Sequence, residues 1–306
     1  MRVLVTGAGG YVGGAVVGAL AAAGHEPVAL VRDDRAAPGA AVECRVGDLL
    51  VPESLGRALA GVEAVCHLAG LTRARESWEH PLRYFEVNAG GTLALLRAME
   101  AADVRRLVFA STGAIYGTPR RQPVGEDLPD DVPYPYAASK AAAELMVEWQ
   151  ARSARLAAVV IRLFNVAGGA DPDSTRIVPR VLAAAAGQRP SLEVNGDGTA
   201  VRDFLHVADA ADAFVAALEH GPGIGHVRRY NIGSGHGSSV MDVVASAEHI
   251  TGRTVPVVHR PPAAEPATLV CNPTRALAEL GWKPRRSDLD TIVRDAWAAR
   301  PEPPAG

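Results

Sequence analysis

Short apolar runs alternate with longer alanine-rich stretches over the first 165 residues of the chain. Residues 2–6 read RVLVT, a nearly continuous apolar run that is typical of a strand buried on both faces of a sheet. The predicted strands are residues 2–6, 28–31, 42–46, 64–69, 107–110 and 158–163, and the predicted helices are residues 11–23, 52–60, 82–101 and 136–154. Strands that alternate with helices predict a parallel sheet with helices on both faces.

The pattern changes after residue 165, where loops become longer and richer in glycine and proline. Helical periodicity returns in four places, at residues 177–187, 207–219, 240–251 and 288–299. We therefore predict an α/β fold, a doubly wound, Rossmann-like parallel sheet in domain 1–165, with a smaller α+β region over residues 166–306. Parts of the second region near residues 203–220 are expected to pack back on the first domain.

Composition excludes several classes of protein. Of the 306 residues, 48% are hydrophobic and 21% charged, the net charge is −3, and no apolar run reaches the ~18 residues of a membrane span. This charge offers no basic surface for nucleic acid or an anionic membrane. Three scattered cysteines suit the reducing cytoplasm, and nine histidines without metal-ligand spacing indicate no metal site.

A glycine-rich turn follows the first predicted strand and opens the first predicted helix. Residues 6–13 read TGAGGYVG, the form TGxxGxxG. Glycines at this spacing let the backbone turn sharply and approach a pyrophosphate, whose charge then lies on free N–H groups of the helix. The residues predicted to bind a dinucleotide here are Gly7, Gly9, Gly10, Tyr11, Val12 and Gly13.

The adenosine end of this predicted site leaves two cofactors open. Asp33, after the second strand, can accept hydrogen bonds from the ribose hydroxyls of NAD, whereas Arg32 can bind the 2′-phosphate of NADP. Asp48 and Leu49 follow the third strand, where they are predicted to contact the adenine. These residues predict NAD with NADP as the alternative.

The strongest chemical signal is the pair Tyr136 and Lys140, which lie four residues apart on one face of a predicted helix. A nearby ammonium favours a phenolate and is expected to lower the pKa of Tyr136, which would make the phenol a general base for a hydroxyl. Lys140 is one of two lysines among 31 basic residues. Thr112, after the fifth strand, can bind the same oxygen as Tyr136, and Ser111 is the competing candidate.

Together with further motifs, these residues resemble the extended short-chain dehydrogenase/reductases. The further motifs are NAGGT at residues 88–92, RLFN at 162–165, GDG at 196–198, RDF at 202–204, YNIG at 230–233 and GWKP at 281–284. The resemblance covers almost the whole chain and is closest to nucleotide-sugar epimerases of the UDP-glucose 4-epimerase type. It implies NAD as cofactor, a UDP-linked hexose as substrate, and a homodimer through helices 82–101 and 136–154. It also implies further site residues: Leu68, Ala69, Gly70, Asn88 and Ser111 on the cofactor, and Asn165, Arg202 and Arg260 on the substrate.

The resemblance implies a reaction in which Tyr136 takes the proton of the sugar 4-hydroxyl while hydride leaves C4. Related dehydratases and decarboxylases carry acidic residues after the active-site Thr or Ser, where this chain has Gly113 and Ala114. Epimerisation is therefore expected, with an NADPH-dependent nucleotide-sugar 4-ketoreductase as the alternative. A non-catalytic dinucleotide sensor is disfavoured because Tyr136 and Lys140 are both present.

Overall fold

A sheet of seven parallel strands forms the centre of the computed structural model, which describes residues 1–33, 42–262 and 266–300. The strands, numbered in chain order, are β1 (Arg2–Thr6), β2 (Glu26–Val31), β3 (Glu43–Val46), β4 (Ala64–His67), β5 (Arg106–Thr112), β6 (Ala157–Leu163) and β10 (Val227–Ile232). Their order is β10-β6-β5-β4-β1-β2-β3, and each adjacent pair is parallel. The predicted doubly wound α/β class is confirmed.

Helices cover both faces of this sheet. The helices of the first half are α1 (Tyr11–Ala22), α2 (Pro52–Ala58), α3 (Glu76–Glu79), α4 (Pro81–Tyr84), α5 (Gly91–Ala101) and α6 (Pro135–Arg152). Successive residues of β1 enter opposite cores: Val3 and Val5 pack with Leu20 of α1, and Leu4 packs with Leu95 of α5. Because both faces are covered, the strand needs apolar residues at consecutive positions, which is the pattern seen in the sequence.

The predicted helix 82–101 is interrupted in the structure. A six-residue π-helical turn, Phe85–Gly90, separates α4 from α5. A second short element, the 3₁₀ turn Gly113–Tyr116, follows β5. Wide turns of the π type are frequently found at functional sites, and this one carries Asn88.

The second half of the chain builds smaller sheets around a separate core. Its strands are β7 (Asn165–Ala167), β8 (Leu192–Asn195), β9 (Val201–His206), β11 (Gly237–Ser239), β12 (Val257–Arg260) and β13 (Thr268–Leu269). Its helices are α7 (Ile177–Ala185), α8 (Val207–His220), α9 (Val240–Thr251), α10 (Thr274–Glu279) and α11 (Leu289–Ala298). Strands β7, β9, β11 and β13 form one sheet, β8 pairs with β12, and α7, α9 and α11 share a core.

Two elements after residue 165, α8 and β10, pack with the seven-stranded sheet and its helices. Phe214 of α8 is buried in the core that α1 forms with the sheet. The strand β10 pairs with β6 and was not predicted from the sequence. The division into domains 1–165 and 166–306 stays a prediction.

The chain reverses its direction of travel across the sheet at β1, with β2 on one side and β4 on the other. Open α/β sheets bind ligands at such a switch point, beyond the carboxyl ends of the strands. The loops after β1 and β4 therefore mark where a site is expected.

Candidate active site

A cavity of about 820 Å³ opens at the carboxyl ends of β1, β4 and β5. It continues from the glycine-rich turn to the residues after β7 and at the start of α7. Most of the predicted site residues line it: Gly7, Gly9, Gly10, Tyr11, Val12, Gly13, Arg32, Asp48, Leu49, Leu68, Ala69, Gly70, Ser111, Thr112, Tyr136, Lys140 and Asn165. The predicted residues outside the lining are Asp33, Asn88, Arg202 and Arg260.

The glycine-rich turn fits a dinucleotide. Helix α1 begins after Gly10 without a side-chain cap and without an acidic residue in its first turn, so its first N–H groups face the cavity without a side-chain acceptor. A Cβ at Gly13 would lie 2.0 Å from the carbonyl oxygen of Gly7, and a Cβ at Gly7 would lie 2.7 Å from the nitrogen of Ala69. Side chains at these positions would push the turn out of the shape that a pyrophosphate requires.

At the adenosine end, Arg32 lines the cavity and Asp33 does not. The Asp48 carboxylate accepts a hydrogen bond from the Leu50 nitrogen at 2.9 Å, which holds the Asp48–Leu50 turn against the cavity. Leu49 packs 3.0 Å from the position that a Cβ of Gly91 would take. The positions of Asp48 and Leu49 are thus compatible with the predicted contact with adenine. The position of Arg32 is compatible with the alternative, a contact with the 2′-phosphate of NADP.

Helix α6 places Tyr136 and Lys140 in the same cavity. Tyr134 precedes the helix and Pro135 occupies its first turn, so Tyr136 lies at the helix start and Lys140 one turn later. The Lys140 ammonium is buried, 4.5 Å from the centroid of the Phe109 ring. Burial lowers the pKa of Lys140 to about 8, and the Glu144 carboxylate opposes this change.

The expected effect of Lys140 on Tyr136 is wrong for this structure. Burial raises the pKa of Tyr136, opposed by a hydrogen bond from Thr112 and by the charge of Arg176. The ammonium of Lys140 faces the loop after β4, where a Cβ at Gly70 would lie 3.9 Å from Nζ. Because the phenol is surrounded by Tyr134 and Tyr84, at ring distances of 6.4 and 6.3 Å, desolvation of the phenolate dominates.

Thr112 is favoured over Ser111 as the partner of the reacting oxygen. The Thr112 hydroxyl reaches Tyr136 and also accepts a hydrogen bond from the Ala114 nitrogen at 3.1 Å. Ser111 instead donates its proton to Glu144. Glu144 is buried and bonded to the guanidinium of Arg162 at 2.7 Å, so Ser111 belongs to an ionic network behind the site.

Asn88 lies behind the cavity wall and holds neighbouring elements. Its side-chain oxygen accepts from the Leu71 nitrogen at 2.8 Å, and its amide donates to the Leu71 carbonyl at 3.0 Å. The same amide donates to Ser139 at 2.9 Å, and Ser139 donates to the carbonyl of Tyr136 at 2.8 Å. Asn88 thereby connects the loop after β4 to the start of α6.

The predicted substrate residues lie in different places. Asn165 lines the cavity and donates to the Asp203 carbonyl at 3.3 Å. Arg202 lies on β9 beside the cavity, where its charge opposes the burial that raises the pKa of Tyr134 to about 12. Arg260 is exposed on β12 and is paired with Glu193.

Sequence reasoning missed Arg176, which lines the cavity immediately before α7. Its guanidinium lies 3.3 Å from the Asp171 carboxylate and 5.6 Å from the centroid of the Tyr11 ring. A cation at a helix N-terminus opposes the helix dipole. An arginine just before the predicted helix 177–187 does not stabilise that helix, so its position was a signal of a role in binding.

Metal chemistry finds no support among the described residues, because no three His, Cys, Asp or Glu side chains gather where they could hold an ion. In the same ranges, no helix has the length and apolar character needed to cross a bilayer.

Comparison with known proteins points to one family. The family described as "NAD dependent epimerase/dehydratase" matches residues 3–233. The UDP-glucose 4-epimerase of Streptomyces lividans is 39% identical over 324 aligned positions, which span all of this chain and 98% of the relative. The NAD complex of UDP-glucose 4-epimerase from Brucella ovis superposes with a TM-score of 0.91 at 35% identity, over 97% of both chains. The complex of the Bifidobacterium longum enzyme with NAD+ and UDP gives 0.89 at 28% identity, over 98% of both.

The buried position of Lys140 predicts an unusual titration. Because burial disfavours the ammonium, Lys140 is expected to be charged at low pH and to lose its proton as the pH rises through about 8. Lysine labelled with ¹³C at Cε gives one signal in the Lys283→Arg variant, which retains Lys140 alone. Its NMR titration should have a midpoint near 8, whereas a midpoint above pH 10 would show that the ammonium is not desolvated.

Proposed function

The chain belongs to the NAD-dependent epimerase/dehydratase family, and from this premise we propose that it is a nucleotide-sugar 4-epimerase that interconverts UDP-glucose and UDP-galactose. The observation that carries this proposal is the placement of Tyr136 and Thr112 in the same cavity as the dinucleotide turn. Oxidation of an alcohol requires a proton acceptor at the hydroxyl oxygen and a hydride acceptor at the carbon that bears it.

In the forward half of the reaction, Tyr136 takes the proton of the sugar 4-hydroxyl while Thr112 holds the same oxygen. NAD bound in the cavity would supply the hydride acceptor for C4 and the hydride donor for the opposite face of the 4-keto sugar. Tyr136 then gives its proton back to the oxygen, so that no proton or electron is lost overall. Lys140 binds the nicotinamide ribose beside Gly70.

The carboxylates of the cavity favour epimerisation over elimination. Among the described residues that line it, the only acidic ones are Asp48 at the adenosine end and Asp171, which is paired with Arg176. Gly113 follows Thr112 and lies against Phe164, since a Cβ there would be 2.9 Å from the ring. Among the described lining residues, no carboxylate therefore stands beside Thr112 to remove a proton from C5.

Inversion requires a firmly held nucleotide and a loosely held sugar. We assign the diphosphate to Arg176 and Arg202, with Asn165 beside them, because a guanidinium presents forked donors to phosphate oxygens. The free N–H groups at the start of α7 lie on the same wall of the cavity. Arg202 is outside the lining but close enough to Tyr134, which lines the cavity, for its charge to oppose the rise in the pKa of Tyr134. Arg260 is excluded from this assignment because it also lies outside the lining and its guanidinium is paired with Glu193. Binding energy on the remote nucleotide leaves the sugar free to turn.

Two observations keep the ketoreductase as a second candidate. Arg32 lines the adenosine end, and a protein named RMD from Pseudomonas aeruginosa, complexed with NADPH, superposes with a TM-score of 0.85 at 29% identity. A reductase would consume one NADPH per keto sugar, whereas the epimerase needs no net reductant. Nicotinamide absorbance during turnover distinguishes the two.

The same proposal includes a homodimer in the cytoplasm. Large apolar side chains are more than half exposed on α3, α4 and α6, namely Trp78, Leu82, Leu145 and Trp149. These helices contact one another, so the four side chains form an apolar face that a second copy would cover. The three cysteines are free thiols, which suits a reducing compartment.

Tyr136→Phe should abolish turnover and leave nucleotide binding intact. The substitution removes one oxygen, so we expect kcat to fall at least ~10³-fold, the scale of a lost general base. Turnover of UDP-galactose measures kcat, and calorimetry measures UDP binding. Tyr230→Phe, which removes a hydroxyl bonded to Glu279 remote from the cavity, is the matched control. Activity retained in Tyr136→Phe would refute the assigned base.

Replacing the proposed diphosphate residues should weaken substrate binding. Arg176→Ala and Arg202→Ala are each expected to raise KM for UDP-galactose about 10-fold, the scale of a lost charge-assisted hydrogen bond. Arg260→Ala is the comparison and should change KM less than about 2-fold by the same criterion. A larger effect at Arg260 than at Arg176 would reverse the assignment.

Sedimentation tests the dimer. The wild-type protein should sediment at twice the mass of one chain, and the double variant Leu145→Glu with Trp149→Glu should sediment as one chain because it buries two charges. Ile224→Glu is the control, since Ile224 is half exposed and lies outside this face. A wild-type protein that sediments as a single chain would exclude the dimer.

A further inference from the structure

A buried histidine that the proposed mechanism does not use lies at the switch point of the sheet. His67 is the last residue of β4 and is almost completely buried. Its Nδ1 lies 2.7 Å from the hydroxyl of Thr6, and its Nε2 lies 3.0 Å from the hydroxyl of Thr92. Both ring nitrogens therefore have hydroxyl partners, one on β1 and one on α5.

The hydrogen bonds around Thr6 fix the direction in which protons point. The Thr6 oxygen accepts from the nitrogens of Leu68 and Ala69, at 3.2 and 3.1 Å. A hydroxyl has two acceptor sites and one proton, so the proton of Thr6 must go to Nδ1 of His67. The ring then carries its proton on Nε2 and donates it to Thr92. The Thr92 hydroxyl donates in turn to the carbonyl of Asn88 at 2.6 Å.

The two ends of this one-way chain hold the two halves of the site. At one end, Thr6 holds the loop Leu68–Gly70, which lines the dinucleotide part of the cavity. At the other end, Thr92 holds the π-helical turn that carries Asn88. From there the contacts of Asn88 continue through Ser139 to the backbone of Tyr136.

A neutral imidazole is required for this arrangement. Burial and the charge of Lys140 lower the pKa of His67 to about 3. The Phe109 ring contacts both groups, with its centroid 5.5 Å from the imidazole and 4.5 Å from the ammonium. A protonated ring would present two donors, and the Nδ1 donor would face a Thr6 oxygen whose acceptor sites are already used.

We infer that His67 is a positioning residue, which couples the loop that holds the dinucleotide to Asn88 and thereby to the backbone that places Tyr136. This inference rests on the proposed epimerase function for its catalytic readout only. The coupling needs the imidazole as a neutral link that accepts at one end and donates at the other. A side chain that only filled the space would leave Thr6 and Thr92 without their shared partner.

Thr92→Val breaks the chain while keeping the shape of the side chain. A small displacement at the reacting centre can cost up to about 100-fold in rate, so we expect kcat to fall about 10-fold with KM for UDP-galactose changed less than 2-fold. NAD binding, measured by calorimetry, should weaken about 3-fold through the loosened loop, and Thr92→Ser should restore both quantities to within about 2-fold because it retains the hydroxyl. A kcat in Thr92→Val equal to the wild-type value, or no rescue by serine, would overturn the inference.

Thr251→Val is the matched control. Thr251 donates to the carbonyl four residues earlier, Ala247, at 2.7 Å, as Thr92 does to Asn88, but lies at the end of α9 outside the cavity. Its removal should leave kcat and NAD binding unchanged even if the protein becomes less stable. Equal losses of kcat in both threonine variants would mean that stability alone is involved.

The tautomer can be observed without an enzyme assay. In ¹⁵N-histidine-labelled protein, one of the nine imidazoles should keep a bare Nδ1 and a protonated Nε2 from pH 5 to 8, and its Nε2 signal should shift in Thr92→Val. The inference would be overturned if the ring whose Nε2 signal shifts in Thr92→Val titrates between pH 5 and 8, or carries its proton on Nδ1. If this signature and the NAD effect are found but UDP-galactose is not converted, the proposed function fails and the coupling stands.

Discussion

The close approach of the loops after β1 and β4 is the constraint on which the whole site depends. Gly7 leaves no room for a Cβ because the backbone of Ala69 lies where that atom would be. The Thr6 hydroxyl binds the same loop through two backbone nitrogens. This contact fixes the loop Leu68–Gly70, which lines the cavity. The same loop brings Gly70 close to Asn88 and Lys140. If the two loops moved apart, the glycine-rich turn would no longer be held in a fixed position relative to helix α6.

The charged groups of the site are stabilised unequally. Lys140 is buried with a single carboxylate, Glu144, to offset its desolvation, and Glu144 is itself shared with Arg162. Tyr136 lies among aromatic rings that favour its neutral form. Burial raises the pKa of Tyr136, and the positive charge of Arg176, together with Thr112, opposes this change and favours the anion. The groups needed for proton transfer, Tyr136 and Thr112, therefore lie together in the cavity.

Local patterns in the sequence predicted most of the strands and helices in the first half of the chain. Apolar runs identify strands β1 to β6, and the spacing of Tyr136 and Lys140 puts both on one helical face. The strand β10 was missed because its pairing with β6 depends on contacts distant in sequence. Asn88, predicted to bind the cofactor, lies in the π-helical turn and outside the cavity lining, so its contact with the cofactor stays a prediction. Likewise, the late segment indicated Arg260, whereas folding brings Arg176 to the cavity.

The most direct test of the central claim follows the hydrogen on C4 during turnover. The chain should convert UDP-galactose carrying deuterium at C4 into UDP-glucose that retains the deuterium at C4, without added reductant, because the same hydride leaves C4 and returns to it. Loss of the deuterium to water would mean that C4 exchanges a proton. Conversion that required a stoichiometric supply of NADPH would mean a reductase, and either result would contradict the proposed epimerase.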